Sequence, residues 1–381
     1  MNQLLHKYGF YKVGEEKIRS KVLAFLRASE TNQPVHWNFN EDVFEKLNWS
    51  VEPTESLDQL YAERARQLRQ EYDYVVIHFS GGWDSGNIME TFIRNNLKVD
   101  EIFIRGPYDH LDKAAVQQTT EFFYAEIFTQ SIPLAKYIKE KYYPDVKITV
   151  KDTKQLTVDL FAKNKNWIEL GSSNLNVGNL YKSDYDLLNK DWQKMAEKGK
   201  KICHIIGADK PRIRLMDDRY YFCFIDTPTI DFCNDRISDI DLPIYNEMFY
   251  WSPECGKMLI KQGHVIKKYL KRNSNSSIIK NDWNIYDDDI QEKKVKWHEE
   301  IGNCVYKRTL PHIWKTPKTL NEIHNEYLSW FWKDTNTDHF KNWNNGLEYI
   351  FQNVDKQLLD FQYNKKCKLK GCWSRLYDLG T

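Results

Sequence analysis

The stretch Tyr74-Val-Val-Ile-His-Phe-Ser-Gly-Gly-Trp-Asp-Ser85 determines how the rest of the chain is interpreted. Its first six residues form a short apolar run rich in β-branched and aromatic side chains, which is typical of a buried β-strand. The run ends at Ser80-Gly81-Gly82, and apolar residues then recur at helical spacing from Ile88 to Ile93. The pattern predicts a strand, a glycine-rich turn and a helix.

A turn of this kind suits a phosphate group. Gly81 and Gly82 allow the backbone to approach an anion closely, and the N-terminus of the following helix presents N–H groups and a positive dipole end. Ser80 and Ser85 add hydroxyl donors. Asp84 repels phosphate unless a cation lies between them, and Mg²⁺ is commonly held by one or two carboxylates together with substrate phosphates. The residues therefore predict a magnesium–nucleotide site, with an ordinary glycine-rich turn as the alternative.

The hexapeptide Ser80-Gly-Gly-Trp-Asp-Ser85 also resembles the SGGxDS loop of the PP-loop ATP pyrophosphatases. That superfamily includes asparagine synthetase, GMP synthetase, argininosuccinate synthetase and several tRNA-modifying enzymes. The chain contains no Walker A pattern. The resemblance implies an adenine nucleotide alpha hydrolase-like, Rossmann-like fold that cleaves ATP between its α and β phosphates and transfers AMP to a substrate oxygen. The loop residues that it assigns to ATP binding are Ser80, Gly81, Gly82, Trp83 and Ser85.

The order of several further segments is similar to that of asparagine-synthetase-like PP-loop proteins encoded by tailed bacteriophages. These segments are Leu60-Tyr-Ala-Glu-Arg-Ala-Arg-Gln-Leu-Arg69, Gly207-Ala-Asp-Lys-Pro-Arg212 and Phe249-Tyr-Trp-Ser-Pro-Glu254. A phage-encoded member would act in the cytoplasm of its host. The 70 residues before the loop carry no cysteine at position 2 and are too few for a glutaminase-like domain. We therefore do not expect ammonia to be supplied from glutamine within this chain.

Three further apolar runs, Asp100–Arg105, Asp145–Val150 and Lys201–Ile206, predict strands. Two strands joined by one helix over about 30 residues form a βαβ unit, in which the strands are parallel. The sequence thus predicts an α/β fold, a parallel sheet with flanking helices, whose ligands bind beyond the carboxyl ends of the strands. In the resembling families the end of the second strand contacts adenine, which implies this role for Ile104 and Arg105.

Polar residues also follow the fourth predicted strand, in the segment Gly207–Arg212. Asp209 could help Asp84 to hold Mg²⁺, so these two carboxylates are the predicted metal ligands. Lys210 or Arg212 could neutralise the charge that develops on a pyrophosphate leaving group, and with Asp84 they are the predicted catalytic residues. A surface turn with solvated charges is the alternative interpretation of this segment.

Composition restricts the protein class further. The 381 residues carry a net charge of +1, and 29% of them are charged, without any apolar run long enough to span a membrane. The first 20 residues lack the apolar core of a signal peptide. Seven cysteines are scattered singly, which is typical of reduced thiols. We expect a cytoplasmic protein without a membrane partner.

We predict three regions: an N-terminal helical extension over residues 1–70, a PP-loop nucleotide-binding domain over 71–272 and a mainly helical C-terminal region over 273–381. In the first region, a helix is predicted over Glu15–Arg27. The aliphatic stem of Arg64 is expected to pack with the apolar residues of its own helix, while its guanidinium head reaches water. The third is aromatic-rich and holds seven of the 13 tryptophans. Aromatics interleaved with lysines can stack on bases, but they more often form a core, so a nucleic-acid partner is not favoured.

Three functions fit these observations. The first is an enzyme that uses ATP and Mg²⁺ to adenylate an unidentified acceptor, which ammonia or an amine then captures. The second is a PP-loop enzyme that modifies bases of tRNA or DNA. The third is a non-catalytic nucleotide-binding interaction protein. Trp83 at the variable position of the loop is compatible with this function. The sequence leaves the acceptor and the oligomeric state open.

Overall fold

The N-terminal part contains an antiparallel sheet as well as helices. The computed structural model describes residues 8–106, 127–163, 165, 167–170, 189–207, 210–226, 242–273, 300–311, 331, 334–362 and 366–381. The first elements are β1 (Phe10–Val13), β2 (Glu16–Ile18), α1 (Lys21–Thr31), β3 (Val35–Asn38), α2 (Glu41–Phe44) and α3 (Leu57–Glu71). The three strands pair in the order β2–β1–β3, a sheet that the prediction of a helical extension did not include.

The helix predicted over Glu15–Arg27 is divided between β2 and α1. Ser20 marks the division, because its backbone is extended and its hydroxyl accepts a hydrogen bond from the N–H of Leu23, as an N-cap residue does. At the N-terminus of α3, Ser56 and Gln59 form a reciprocal capping box. α3 then leads directly into the central sheet.

A five-stranded sheet in which all strands are parallel forms the centre of the molecule. The strands that follow α3 are β4 (Tyr74–His78), β5 (Glu101–Gly106), β6 (Lys147–Asp152), β7 (Ile202–Ile206), β8 (Arg212–Met216), β9 (Arg219–Cys223) and β10 (Ile244–Met248). All of these except the β8–β9 hairpin belong to the central sheet, whose order is β10–β7–β4–β5–β6. The predicted α/β fold with a parallel sheet is confirmed; β10 is a fifth strand that the sequence did not predict.

Helices cover both faces of this sheet. The helices that follow α3 in the chain are α4 (Trp83–Arg94), α5 (Ile132–Lys141), α6 (Lys154–Lys163), α7 (Lys190–Glu197), α8 (Gly256–Arg272) and α9 (Asp338–Asn353). Val75 and Ile77 of β4 point into the larger core with α3 and α4, whereas Val76 points to the other face and packs with Trp192 of α7. No helix within the described ranges combines the length and apolar character needed to span a membrane.

The direction in which the sheet is built reverses at β4. The chain first proceeds outward through β5 and β6 and then returns to place β7 on the opposite side of β4. The carboxyl ends of β4 and β7 therefore lie side by side, and they lead into Ser80 and Gly207. In open α/β sheets, ligands bind in the crevice at such a switch point.

The C-terminal region is not entirely helical in its described part. Besides α9 it contains β11 (Leu359–Gln362), β12 (Lys366–Leu369) and β13 (Tyr377–Gly380). The first two pair as an antiparallel hairpin, and β13 adds to the edge of the β8–β9 hairpin. The end of the chain is thus attached to an element that directly follows the switch-point loop of β7.

Candidate active site

The loop from Ser80 to Ser85 leaves β4 and becomes the first turn of α4. Gly81 has φ +73°, in the left-handed region that favours glycine, and Gly82 is the N-cap residue of α4. The hydroxyl of Ser85 accepts a hydrogen bond from the N–H of Ser80 (3.2 Å), and the Ser80 hydroxyl accepts one from the N–H of Gly82 (3.3 Å). The two serines thereby fix the turn internally.

Residues in front of α5 hold the loop from outside. The Ser131 hydroxyl donates to the carbonyl oxygen of Ser80 (2.6 Å), and the Gln130 amide donates to that of Gly81 (3.3 Å). A Cβ atom on Gly81 would lie 2.8 Å from Cγ of Gln130. The close approach of this neighbour, together with the backbone conformation, requires glycine at position 81.

The first turn of α4 presents backbone donors. In the part of the chain that the structure describes, no acceptor bonds to the N–H groups of Trp83, Asp84 and Ser85, as is general for the first turn of a helix. Ser80 is exposed, and Gly82 is partly exposed. Such a helix N-terminus after a glycine turn can bind an anion.

The end of β7 packs directly against this turn. A Cβ atom on Gly207 would lie 3.1 Å from the backbone nitrogen of Ser85 and 3.2 Å from the carbonyl carbon of Asp84. A side chain at position 207 would push these two loops apart by a few tenths of an ångström. The consequence is that Lys210, three residues further on, reaches the first turn of α4.

Asp84 is the centre of a polar cluster. Lys210 Nζ lies 2.6 Å from its Oδ2 atom, and the hydroxyl of Tyr306 donates to its Oδ1 atom at 2.8 Å. The Tyr250 hydroxyl donates to the Asp84 backbone carbonyl (3.0 Å) and accepts from the side-chain amide of Asn87 (2.9 Å). Burial, reinforced by the charge of Asp84, raises the pKa of Tyr306 well above its ordinary value, so this phenol is a neutral donor.

A second part of the chain, residues 300–311, also contacts the loop. Its first six residues are helical, and a Cβ atom on Gly302 would lie 2.9 Å from Cδ2 of Trp83. The Arg308 guanidinium donates to the carbonyl oxygen of Gly81 (3.1 Å), and its central carbon lies 4.9 Å from the centroid of the Trp83 ring. Sequence reasoning missed this segment, because no local pattern connects it with a loop more than 200 residues earlier.

Most of the predicted site residues come together in the structure. Ser80 to Ser85 and Lys210 form one continuous group around the first turn of α4. Arg212 does not join them among the described residues: it is the first residue of β8, where it pairs with Cys223. Asp209 lies outside the described residues.

Ile104 and Arg105 lie near the carboxyl end of β5, on the far side of β4 from β7. Ile104 is buried in the core, whereas the Arg105 guanidinium lies 6.0 Å from the centroid of the Phe103 ring. Burial and, after it, the charge of Arg105 lower the pKa of His204 on β7 to about 3. Arg105 is therefore a cation at the carboxyl edge of the sheet, and its contact with adenine stays a prediction.

The described residues do not by themselves form a magnesium site. They contain no group of three or more His, Cys, Asp or Glu side chains that could hold a metal ion. Asp84 is the loop carboxylate, and its two oxygens already bond to Lys210 and Tyr306. Each of these oxygens keeps a second lone pair that could face a cation, and magnesium binding by Asp84 and Asp209 stays a prediction.

Comparison with known proteins adds no relationship to this geometry. No model of a protein family matches the chain, and no curated protein matches its sequence. Membership of the PP-loop superfamily, which the resemblance of Ser80–Ser85 implies, therefore stays a prediction.

Proposed function

We propose that the protein binds ATP at the Ser80–Ser85 loop and transfers AMP to an oxygen atom of an acceptor, with release of pyrophosphate. One observation carries the proposal: a glycine turn and helix N-terminus lie at the switch point of a parallel sheet, where Lys210 joins them from the neighbouring strand. Ligands of open α/β sheets bind at this position.

The loop supplies the donors for the β and γ phosphates. Backbone N–H groups in the first turn of α4 point along the helix axis, and the hydroxyls of Ser80 and Ser85 lie 3.2 Å apart beside them. Fixed donors of this kind bind an anion without reorganisation, since the turn is already held by its own hydrogen bonds.

Lys210 is the group that stabilises the leaving pyrophosphate. Its side chain is only 4% exposed, so its interaction with a phosphate is screened less by water than that of a surface lysine. Asp84 compensates this charge in the structure. A bound triphosphate would share the ammonium with Asp84, and the charge that develops on pyrophosphate would strengthen that contact in the transition state.

The chemical step is a displacement at the α phosphorus. The acceptor oxygen forms a bond to that phosphorus, the bond to the oxygen that bridges the α and β phosphates breaks, and pyrophosphate leaves with the electron pair. Ammonia or an amine then attacks the activated carbon of the acceptor, and AMP leaves. A carboxylate, a base carbonyl or a nucleotide can each serve as the acceptor in this scheme.

A nucleotide-binding protein without turnover is the second candidate. The observation that favours it is that Lys210 and Tyr306 already bond to the two Asp84 oxygens, so the protein itself compensates the loop carboxylate without a metal ion. In this case the nucleotide would act as a structural or regulatory ligand. Modification of nucleic-acid bases gains no support of this kind from the described residues.

Assays of ATP binding and of product formation separate these proposals. The protein is incubated with ATP, magnesium and candidate acceptors, and pyrophosphate and AMP are measured. Formation of both products supports the adenylating enzyme. If the protein binds ATP but forms no products with any of the acceptors, the second candidate is favoured. Lys210→Met should abolish turnover, and Lys200→Met, which changes an exposed lysine, should not. Absence of ATP binding by the wild type overturns both.

A further inference from the structure

Residues 300–311 are attached to the same helix that begins at the nucleotide loop. Glu90 of α4, which is 1% exposed, accepts hydrogen bonds from the backbone N–H groups of Thr309 and Leu310, each at 2.8 Å. It also accepts one from the Thr309 hydroxyl (2.9 Å). Three donors on one buried carboxylate fix the segment to α4, so its distance from the loop is fixed as well.

This attachment directs Arg308 to the loop. Its guanidinium bonds to the Gly81 carbonyl oxygen (3.1 Å) and lies against the Trp83 ring, and the same ring packs on Gly302 of the segment. Gly81 and Trp83 flank Gly82, the N-cap residue of α4. A permanent positive charge is therefore located beside the turn where the phosphates would bind.

The chemistry of arginine fits a second role there. A guanidinium carries five N–H donors in a planar fork, so it can hold a carbonyl oxygen and a phosphate at the same time. Burial disfavours its charged form and lowers the pKa of Arg308 from the ordinary value. A polyanion would offset this desolvation. Lys210 approaches the same turn from a different part of the chain.

We propose that Arg308 contacts the β or γ phosphate of the bound nucleotide, and that residues 300–311 complete the site and make it selective for triphosphates. The inference rests on the proposed function, because it assigns a residue to the same nucleotide. The ligand class is then a polyphosphate, whose negative charge contacts a residue outside the Ser80–Ser85 motif.

Binding measurements with ligands of different charge test the assignment. Calorimetry with ATP and with inorganic tripolyphosphate, and competition by AMP, are compared for the wild type, Arg308→Gln and Arg308→Lys. Arg308→Gln should weaken ATP and tripolyphosphate by about tenfold to a hundredfold, as expected for a lost charge-assisted hydrogen bond, and AMP by less than about twofold. Arg66→Gln, a change at an exposed arginine, is the control and should alter none of the three.

The remaining outcomes overturn either the inference alone or the inference together with the proposed function. Unchanged ATP and tripolyphosphate affinity in Arg308→Gln overturns the inference and leaves the proposed function standing, as does an equal loss for AMP with a lowered melting temperature, which would mark a structural role. If Arg308→Gln does not fold, Arg308→Lys is compared with the wild type instead. A loss of ATP and tripolyphosphate affinity that exceeds the loss for AMP then supports the inference, and the lack of such a difference overturns it. A wild type that binds neither ATP nor tripolyphosphate overturns the proposed function together with the inference.

Discussion

Lys210 and Asp84 form an ion pair between the two loops that leave β7 and β4, with Nζ 2.6 Å from Oδ2. Their side chains are 4% and 23% exposed, and the residues are 126 positions apart in the chain. An ammonium with so little exposure needs a nearby opposite charge. The pair therefore joins the two halves of the switch point as well as defining the electrostatics of the candidate site.

Removing one member of this pair should destabilise the protein more than removing both. Asp84→Asn leaves the Lys210 ammonium without its carboxylate, and we expect the free energy of unfolding to fall by about 2–4 kcal/mol. Lys210→Met combined with Asp84→Asn should regain a large part of this loss, because no buried charge remains. Turnover should be absent in Asp84→Asn, in Lys210→Met and in the double variant. Urea unfolding at pH 7 measures the stabilities.

A double-mutant cycle measures the interaction energy of the two side chains. If the two single losses simply add in the double variant, the side chains do not interact energetically and the ion pair does not stabilise the protein. Lys200→Met serves as the control, since an exposed lysine should change stability by no more than about 0.5 kcal/mol.

Local sequence patterns were sufficient to predict the framework of the site. The apolar run before Ser80, the two glycines and the periodicity after Ser85 each concern neighbouring residues, and the structure has a strand, a turn and a helix there. Lys210 was identified because polar residues after parallel strands meet at one edge of the sheet. Tyr306 and Arg308 could not be identified in this way, since their contacts with the loop span 222 and 227 positions.

The prediction for Arg64 was wrong for a related reason. Its head was expected to reach water, but its side chain is only 2% exposed, and the guanidinium lies 3.1 Å from Glu247 and 2.7 Å from Glu254. Glu247 belongs to β10, the strand that was not predicted. The polar residues of that strand do not match the apolar pattern expected of a buried strand. A glutamate can nevertheless be buried in a sheet when an arginine from another element pairs with it.

The attachment of residues 300–311 should depend on the charge of Glu90. In Glu90→Gln, one carboxylate oxygen becomes an NH₂ group that cannot accept from the N–H groups of Thr309 and Leu310. We expect a loss of about 1–3 kcal/mol in unfolding free energy. Faster hydrogen exchange at these two amides should accompany it. Exchange rates that equal those of the wild type would contradict the proposed anchoring, and Glu348→Gln on the exposed side of α9 is the control.

Two helical glycines should respond to alanine in opposite directions. A Cβ atom at Gly302 would lie 2.9 Å from the Trp83 ring, so Gly302→Ala should force the segment away from the loop, lower stability and weaken ATP binding. A Cβ atom at Gly86 in α4 meets no atom within 4 Å, so Gly86→Ala should raise stability by about 0.5–1 kcal/mol. Thermal unfolding compares the two, and a stabilising Gly302→Ala would show that the ring does not pack on the segment as described.

Acid should destabilise the protein through His204. Burial lowers the pKa of this histidine to about 3, whereas an unfolded histidine has a pKa of 6.5. Because the folded pKa is lower, the unfolded chain binds the proton first, and stability rises with pH across this interval. The contribution is complete above about pH 6.5 and is lost progressively as the pH falls toward 3. Between pH 6.5 and pH 5 the loss should be about 2 kcal/mol.

His204→Asn should remove this part of the acid sensitivity, because asparagine does not titrate while it keeps a polar group near His78, whose Nε2 atom lies 3.0 Å from Nδ1 of His204. Urea unfolding at pH 7 and pH 5 measures the difference. His36→Asn is a control with the opposite sign: the hydrogen bond with Glu41 raises the pKa of His36, so its contribution is present at low pH and disappears as the pH rises. The acid loss should therefore shrink in His204→Asn and not in His36→Asn; equal losses in the two variants would show that His204 is protonated in the folded protein at pH 5.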